Sequence, residues 1–252
     1  MTNRLAEMTT REAGVAAQQD ALVVIPAGAY EQHGPAMPMA TDTIRAEAVA
    51  ARLADEVGDQ ILIGPSIPVG VSPHHRDFAG TVTLSTATFA AVLTDYIDSL
   101  AHHGFRRFLV ITGHGGNNAT LGATAHDLLR THPDVEFAWV AVSALAKDAI
   151  GALGVSEVHG HCGEAETAQM LCVAPELVRN ELLEPGATTL AEMDPLARLS
   201  RAPGVNLSLA WGRLTSNGVL GDPTRVTPAD GERIISEAVA TLTHIVTEWA
   251  AA

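Results

Sequence analysis

Along this chain, short runs of β-branched and other apolar residues alternate with longer segments whose apolar positions recur at helical spacing. ALVVIPAG (21–28) has the continuous hydrophobicity of a strand buried on both faces. QILIGPSIPVG (60–70) predicts a second strand, ended by proline and glycine, RRFLVITGHGGN (106–117) a third that runs into a glycine loop, and EFAWVAVSAL (136–145) a fourth. Helices are predicted between and after them at 41–57, with Thr41 or Asp42 near the cap, at 86–103 and at 119–132. Two more follow at 163–178 and 227–250. Strands that alternate with helices indicate an α/β fold with a mostly parallel sheet, in which ligands bind beyond the carboxyl ends of the strands. Residues 180–225 break the rhythm. They are rich in Gly and Pro yet hold Leu, Val and Trp211, which predicts an ordered excursion rather than a linker.

Composition narrows the partners. The net charge is −14 over 252 residues, and no run of five Lys or Arg occurs. Nucleic acid and anionic membranes need basic patches, so neither is expected as the main partner. Cys162 and Cys172 are the only cysteines, too few for a disulfide framework or a thiolate zinc site, and a reducing compartment is the default. The polar first 20 residues carry no apolar signal region, and no apolar stretch reaches about 18 residues. The expected location is the cytoplasm.

The candidate chemistry lies at the predicted strand ends. In YEQHGPAMPMATD (30–42), Glu31 and His33 are two apart on an extended segment, so their side chains project to one side. Asp42 follows a loop stiffened by Pro35 and Pro38. Glu, His and Asp together suit zinc, manganese or iron(II). Taken singly they read first as a surface Glu, a satisfied core His and a capping Asp. His114 sits among glycines that admit close backbone approach, or simply make a turn. The stretch HGHCGEAETAQ supplies His159, His161, Glu164 and Glu166 at a helix start. His161 is a candidate proton carrier, or a histidine that meets only solvent.

Jointly, PAGAYEQHGPAMPMATD, FAGTVTL, ITGHGGN, HGHCGEAET and NGVLGDPT resemble the successive blocks of the creatininase (creatinine amidohydrolase) family, in order, from about residue 22 to residue 225. The resemblance implies a single creatininase-like domain over 1–252, with a three-layer α/β/α architecture around a mostly parallel central sheet. It implies two divalent metal ions, zinc in the first place with manganese or iron also fitting, and often a hexamer. Carried over residue by residue, Asp42 bridges the metals, Glu31 and His114 bind one, His33 binds the other, and His161 shuttles protons. Where the creatinine-cleaving members have a further glutamate ligand, this chain has Gly116, and Glu164 is expected to supply that carboxylate as a ligand with a catalytic part. Glu166 is expected behind the ligands, orienting His161.

The tryptophans that surround creatinine in those members are absent from the corresponding neighbourhoods, and Gly115 replaces a tyrosine, which argues against creatinine. Gly115, Gly116 and His75, the last placed at the pocket rim, are the expected substrate contacts. The implied activity is hydrolysis of a non-peptide C–N bond in a small cyclic amide, lactam or formamide. The alternative within the family is a peptidase that trims a modified precursor peptide, as mycofactocin-associated members do. A metal-binding protein without catalysis is the alternative of another class.

Overall fold

The structure, a computed structural model, describes residues 2–251. Four parallel strands form the sheet, β1 (Leu22–Ala27), β2 (Ile61–Ile63), β3 (Arg107–Thr112) and β4 (Glu136–Ala141), in the order β2-β1-β3-β4. Val23 of β1 pairs with Leu62 of β2 and with Phe108 of β3, and Phe108 pairs with Phe137 of β4. β1 is therefore interior, which explains its unbroken apolar run: every residue of it is buried.

Side chains alternate across a strand, and β1 shows what each face meets. Leu22 and Val24 join the core built with helices α2 (Thr41–Val57) and α9 (Pro228–Ala251). Val23 and Ile25 join the opposite core, built with α1 (Thr10–Gln18), α3 (Thr86–His102) and α4 (Asn118–Thr131). Helices thus cover both faces, giving the three-layer α/β/α arrangement. Phe89 of α3 is wholly buried in the second core. Phe89→Ala is expected to cost about 3–5 kcal/mol, read as a lower urea midpoint, because the sheet face beneath it cannot collapse to fill the space.

Three elements depart from the sequence-based expectation. The fourth strand stops at Ala141, and Val142–Leu145 turns into a short helix, α5, followed by α6 (Lys147–Ala152). The helix expected over 163–178 is α7 (Glu164–Val173) and ends before Pro175, which cannot continue the helical hydrogen bonding. The second strand, expected over 60–70, spans only Ile61–Ile63. Thr41 and Asp42 lie next to the cap of α2, as expected; Ala40 is the cap residue and makes no side-chain cap bond, and the Asp42 carboxylate is left for other partners. The excursion after residue 180 is ordered. It holds α8 (Pro195–Ser200) and a small core of Val158, Met193, Ala197, Leu214 and Leu220, with Trp211 against it.

Candidate metal centre

The carboxyl ends of β1 and β3 open towards the N-terminus of α2, and the polar residues of the two strand-end loops meet there. Glu31, His33, Asp42 and His114 are all buried although each is ionisable. Such groups avoid the interior unless something pairs with them. His114 Nδ1 lies 3.2 Å from Glu31 Oε1 and 3.3 Å from Asp42 Oδ2. His33 Nε2 lies 3.4 Å from Asp42 Oδ1 and 3.5 Å from Glu166 Oε2. The two oxygens of Asp42 therefore face two different donor sets.

Backbone carbonyls decide which ring nitrogens are available. A carbonyl only accepts, so the nitrogen facing it carries the proton. His114 Nε2–H donates to Val71 O at 3.1 Å and His33 Nδ1–H donates to Glu31 O at 3.2 Å. In the neutral rings the nitrogens left with a lone pair, His114 Nδ1 and His33 Nε2, are the ones aimed into the cluster. This arrangement, one ring nitrogen held by the backbone and the other free, is what imidazole ligands require.

Whether a cation suits the cluster can be judged from what is left unpaired. Among the described residues, Glu31 Oε1 and Oε2, His33 Nε2 and Asp42 Oδ2 are buried without a hydrogen-bond partner. Buried polar atoms are normally paired, and four converging orphans of donor-atom type fit divalent cations held by oxygen and imidazole. One donor atom each of Glu31, His33 and Asp42 lies within 4.8 Å of the others, and the same holds for His33, His161 and Glu166.

The electrostatics agree. Burial alone would push the His114 imidazole down, but the Glu31 carboxylate beside it holds it up at about 10. Burial likewise opposes charge on His33 and Asp42; their mutual attraction prevails, raising His33 and lowering Asp42. Burial raises Glu31. The negative field that holds protons on these imidazoles is a field that attracts metal ions.

Several residues stand where the sequence reading did not put them. Glu164 is held by Ser156 and is not grouped with the other donors among the described residues: its Oε1 accepts from Ser156 N at 2.9 Å and Ser156 Oγ at 2.6 Å, while its Oε2 is buried without a partner. Glu166, expected behind the ligands, reaches the cluster itself, with Oε2 3.5 Å from His33 Nε2 and 3.9 Å from His161 Nδ1. Its Oε1 accepts from Arg45 at 2.7 Å and its Oε2 from Cys162 N at 2.7 Å; burial would raise it, but Arg45 holds it at about 2. His75 is not at a rim. It is buried, with Nε2 3.5 Å from Glu31 Oε1, and burial pushes its imidazole well down. It still lines the cavity beside the cluster together with its neighbour His74, which stacks on His114 with ring centroids 5.6 Å apart.

The sequence reading did not assign Arg45 or Trp211 to the site. Arg45 is buried one helical turn after Asp42, where it also reaches Asp42 Oδ1, Gly113 O and Gln169 Oε1. The i,i+3 spacing from Asp42 was the available signal. Trp211 comes from the excursion and covers His75 at 4.5 Å and His161 at 5.1 Å between centroids. Nothing in its sequence surroundings announced that, beyond a lone Trp among Gly, Ser and Leu.

A cavity of about 510 Å³ opens on this cluster, with Gly115, Gly116, His159, His161 and Trp211 in its wall. Gly116 cannot carry the missing glutamate: a Cβ there would fall 2.2 Å from His114 Nε2 and 2.4 Å from Val71 O. A second cavity of about 500 Å³ shares His74 and Trp211 with the first and is lined also by Pro73, Leu207, Leu209 and Leu214. Among the described residues no helix is long and apolar enough to cross a membrane.

Comparison with known proteins gives the same picture from outside. The family model "Creatininase: Creatinine amidohydrolase" matches residues 6–246. A "Mycofactocin precursor peptide peptidase" of Mycolicibacterium smegmatis is 34% identical over 233 residues, 90% of this chain and 85% of that protein. The "Creatinine amidohydrolase" of Pseudomonas putida is 34% identical over 66% of this chain and 69% of its own. The crystal structure of a creatinine amidohydrolase (creatininase) superposes with a TM-score of 0.84 at 26% identity, covering 98% of this chain and 97% of that one. Structures similar to this chain include a "Zn-Zn type" creatininase variant and a manganese form.

Proposed function

Because the chain belongs to the creatininase family, we propose that it hydrolyses an amide C–N bond with two divalent cations. Glu31, His114 and Asp42 Oδ2 would hold one, and His33, Glu166 and Asp42 Oδ1 the other. The observation that carries this reading is the Asp42 carboxylate, whose two oxygens face two donor sets at 3.3 and 3.4 Å. In this reading Glu166 takes the ligand role expected of Glu164. Cations bound there supply Lewis acidity, which brings the pKa of water from 15.7 towards about 7 and polarises a carbonyl.

The chain's own residues do the rest. His161 Nε2–H donates to Gln32 O at 2.7 Å, which leaves Nδ1 bare and directed at the cluster, 3.5 Å from Glu31 Oε1. Burial and the neighbouring His33 push this imidazole down to about 3. It stands neutral at pH 7, so its Nδ1 would take the proton that the attacking water gives up and deliver it to the leaving nitrogen. Trp211, His74 and the glycine loop enclose the bond and limit water. His161→Gln is expected to keep both metal equivalents and lose about 10²–10⁴-fold in turnover. Full turnover in that variant would remove His161 from the mechanism.

The amide of a peptide is the first substrate reading. It is supported by the 34% likeness to a precursor peptide peptidase along 90% of the chain, and by the second cavity, which shares Trp211 and His74 with the first and adds room for substrate. The small cyclic amide expected from the sequence stands second, supported by the likeness to creatinine amidohydrolase over a shorter span. Zinc- or manganese-reconstituted protein assayed on short peptides and on cyclic amides, imides and formamides separates the two. Protein that binds no metal and turns over neither set would refute the proposal.

A further inference from the structure

Three imidazoles crowd Glu31. His114 Nδ1, His75 Nε2 and His161 Nδ1 all approach Glu31 Oε1, at 3.2, 3.5 and 3.5 Å. Glu31, His75 and His161 are close enough to form a ligand set of their own. A cation placed there would tie up His161, the proposed proton carrier. Something must decide which histidines offer a lone pair, and Gln32, between Glu31 and His33, is positioned to do so.

Its amide orientation is set by the backbone. Gly34 N–H donates to Gln32 Oε1 at 2.9 Å, so the other end of the amide is the amino group. That group has two hydrogens. One goes to Gly218 O at 3.2 Å, since a carbonyl can only accept. The other points to His75 Nδ1 at 2.8 Å, which must then be the accepting nitrogen. The proton of His75 is left on Nε2, directed at Glu31. The amino group also lies 3.0 Å from His161 Nε2, but that nitrogen already donates to the Gln32 carbonyl, so this approach is a contact without a shared proton. Gly218 is part of the clamp, since a Cβ there would fall 1.9 Å from Gln32 Oε1.

We infer that Gln32 is a positioning residue that sets the tautomers of two site histidines. Its side chain puts the His75 proton on Nε2, the nitrogen that faces Glu31 Oε1 at 3.5 Å, so that nitrogen has no lone pair to offer a cation, while its backbone carbonyl puts the His161 proton on Nε2 and leaves Nδ1 free. The tautomer pattern stands on hydrogen bonding alone; its catalytic consequence rests on the amide-hydrolase reading above.

The test is heteronuclear NMR of ¹⁵N-histidine-labelled protein, metal-free and zinc-loaded, with ring nitrogens assigned by His75→Gln and His161→Gln. Wild-type His75 and His161 are both expected to show a protonated Nε2 and a bare Nδ1. Gln32→Glu places an acceptor opposite His75 Nδ1 and should move the His75 proton to Nδ1 while leaving His161 unchanged. A wild-type His75 protonated at Nδ1, or a His75 pattern identical in the two proteins, overturns the inference. If Gln32→Glu does not fold, the wild-type spectrum alone decides. Gln32→Leu should lower kcat about 10–100-fold at unchanged zinc content with little change in KM; unaltered kcat would deny the clamp a role in turnover. Should the protein hydrolyse no amide, the ring-nitrogen pattern would still be expected, so the two proposals fail separately.

Discussion

Asp42→Ala is expected to abolish binding of both cations and to reduce amide hydrolysis by roughly 10³-fold or more, since metal ions contribute several kcal/mol of transition-state stabilisation. Among the described residues Asp42 is the side chain whose two oxygens face the two donor sets, and it is buried at the start of α2. Removing Glu31 or Glu166 would weaken one set; removing Asp42 unlinks the two. Glu164→Gln serves as the contrast. Its carboxylate is engaged by Ser156 and is not grouped with the other donors among the described residues, so metal content and turnover should match the parent. Metal analysis after dialysis checks both variants. Two retained equivalents in Asp42→Ala would mean that the ligand set has been drawn wrongly, and metal loss in Glu164→Gln would restore that residue to it.

Arg45→Met is expected to destabilise the metal-free protein by about 3–5 kcal/mol, the usual cost of stripping one partner from a buried ion pair. Arg45 is buried and answers Glu166 Oε1 at 2.7 Å and Asp42 Oδ1 at 3.3 Å. Without it, the buried Asp42 carboxylate and the partly buried Glu166 carboxylate keep their charge with less compensation. Met matches the length of the Arg stem, so the loss would come from charge and hydrogen bonds more than from a cavity. Bound cations would neutralise the same carboxylates, so added zinc should recover part of the loss by binding only the folded state. Urea unfolding with chelator and with zinc reads both effects. Equal stability of the two metal-free proteins would show that Arg45 anchors nothing.

Much of the architecture could be read from residue order. The central strand, the glycine loop after β3 and helices such as α2 follow from apolar periodicity and from Gly and Pro punctuation, which act over a few residues. The strand overrun into Val142–Leu145 has a local cause. Val, Ser, Ala and Leu tolerate either conformation, and at the sheet edge nothing beyond Ala141 holds the chain extended. The helix carried past Val173 overlooked Pro175, which was legible in the sequence.

The residue types at the strand ends were likewise present in the sequence. Glu31 and His33 share a side because the chain there is extended, and His114 follows β3 directly, so these contacts needed only local geometry and a parallel sheet. Tertiary packing decided the rest. Glu164 and Glu166 are two residues apart on one helix, about 200° around its axis, so the docking of α7 against α2 and α9 determines which of them faces the cluster. Arg45 finds Glu166 across 121 positions, and Trp211 covers His161 from a segment with no regular pattern to read. His75 became buried because an entire wall closed over it. Local sequence dictates how a chain turns and which side a residue takes; which charges and rings then meet across the fold depends on how separate elements dock, and that is settled by the packing of the whole core.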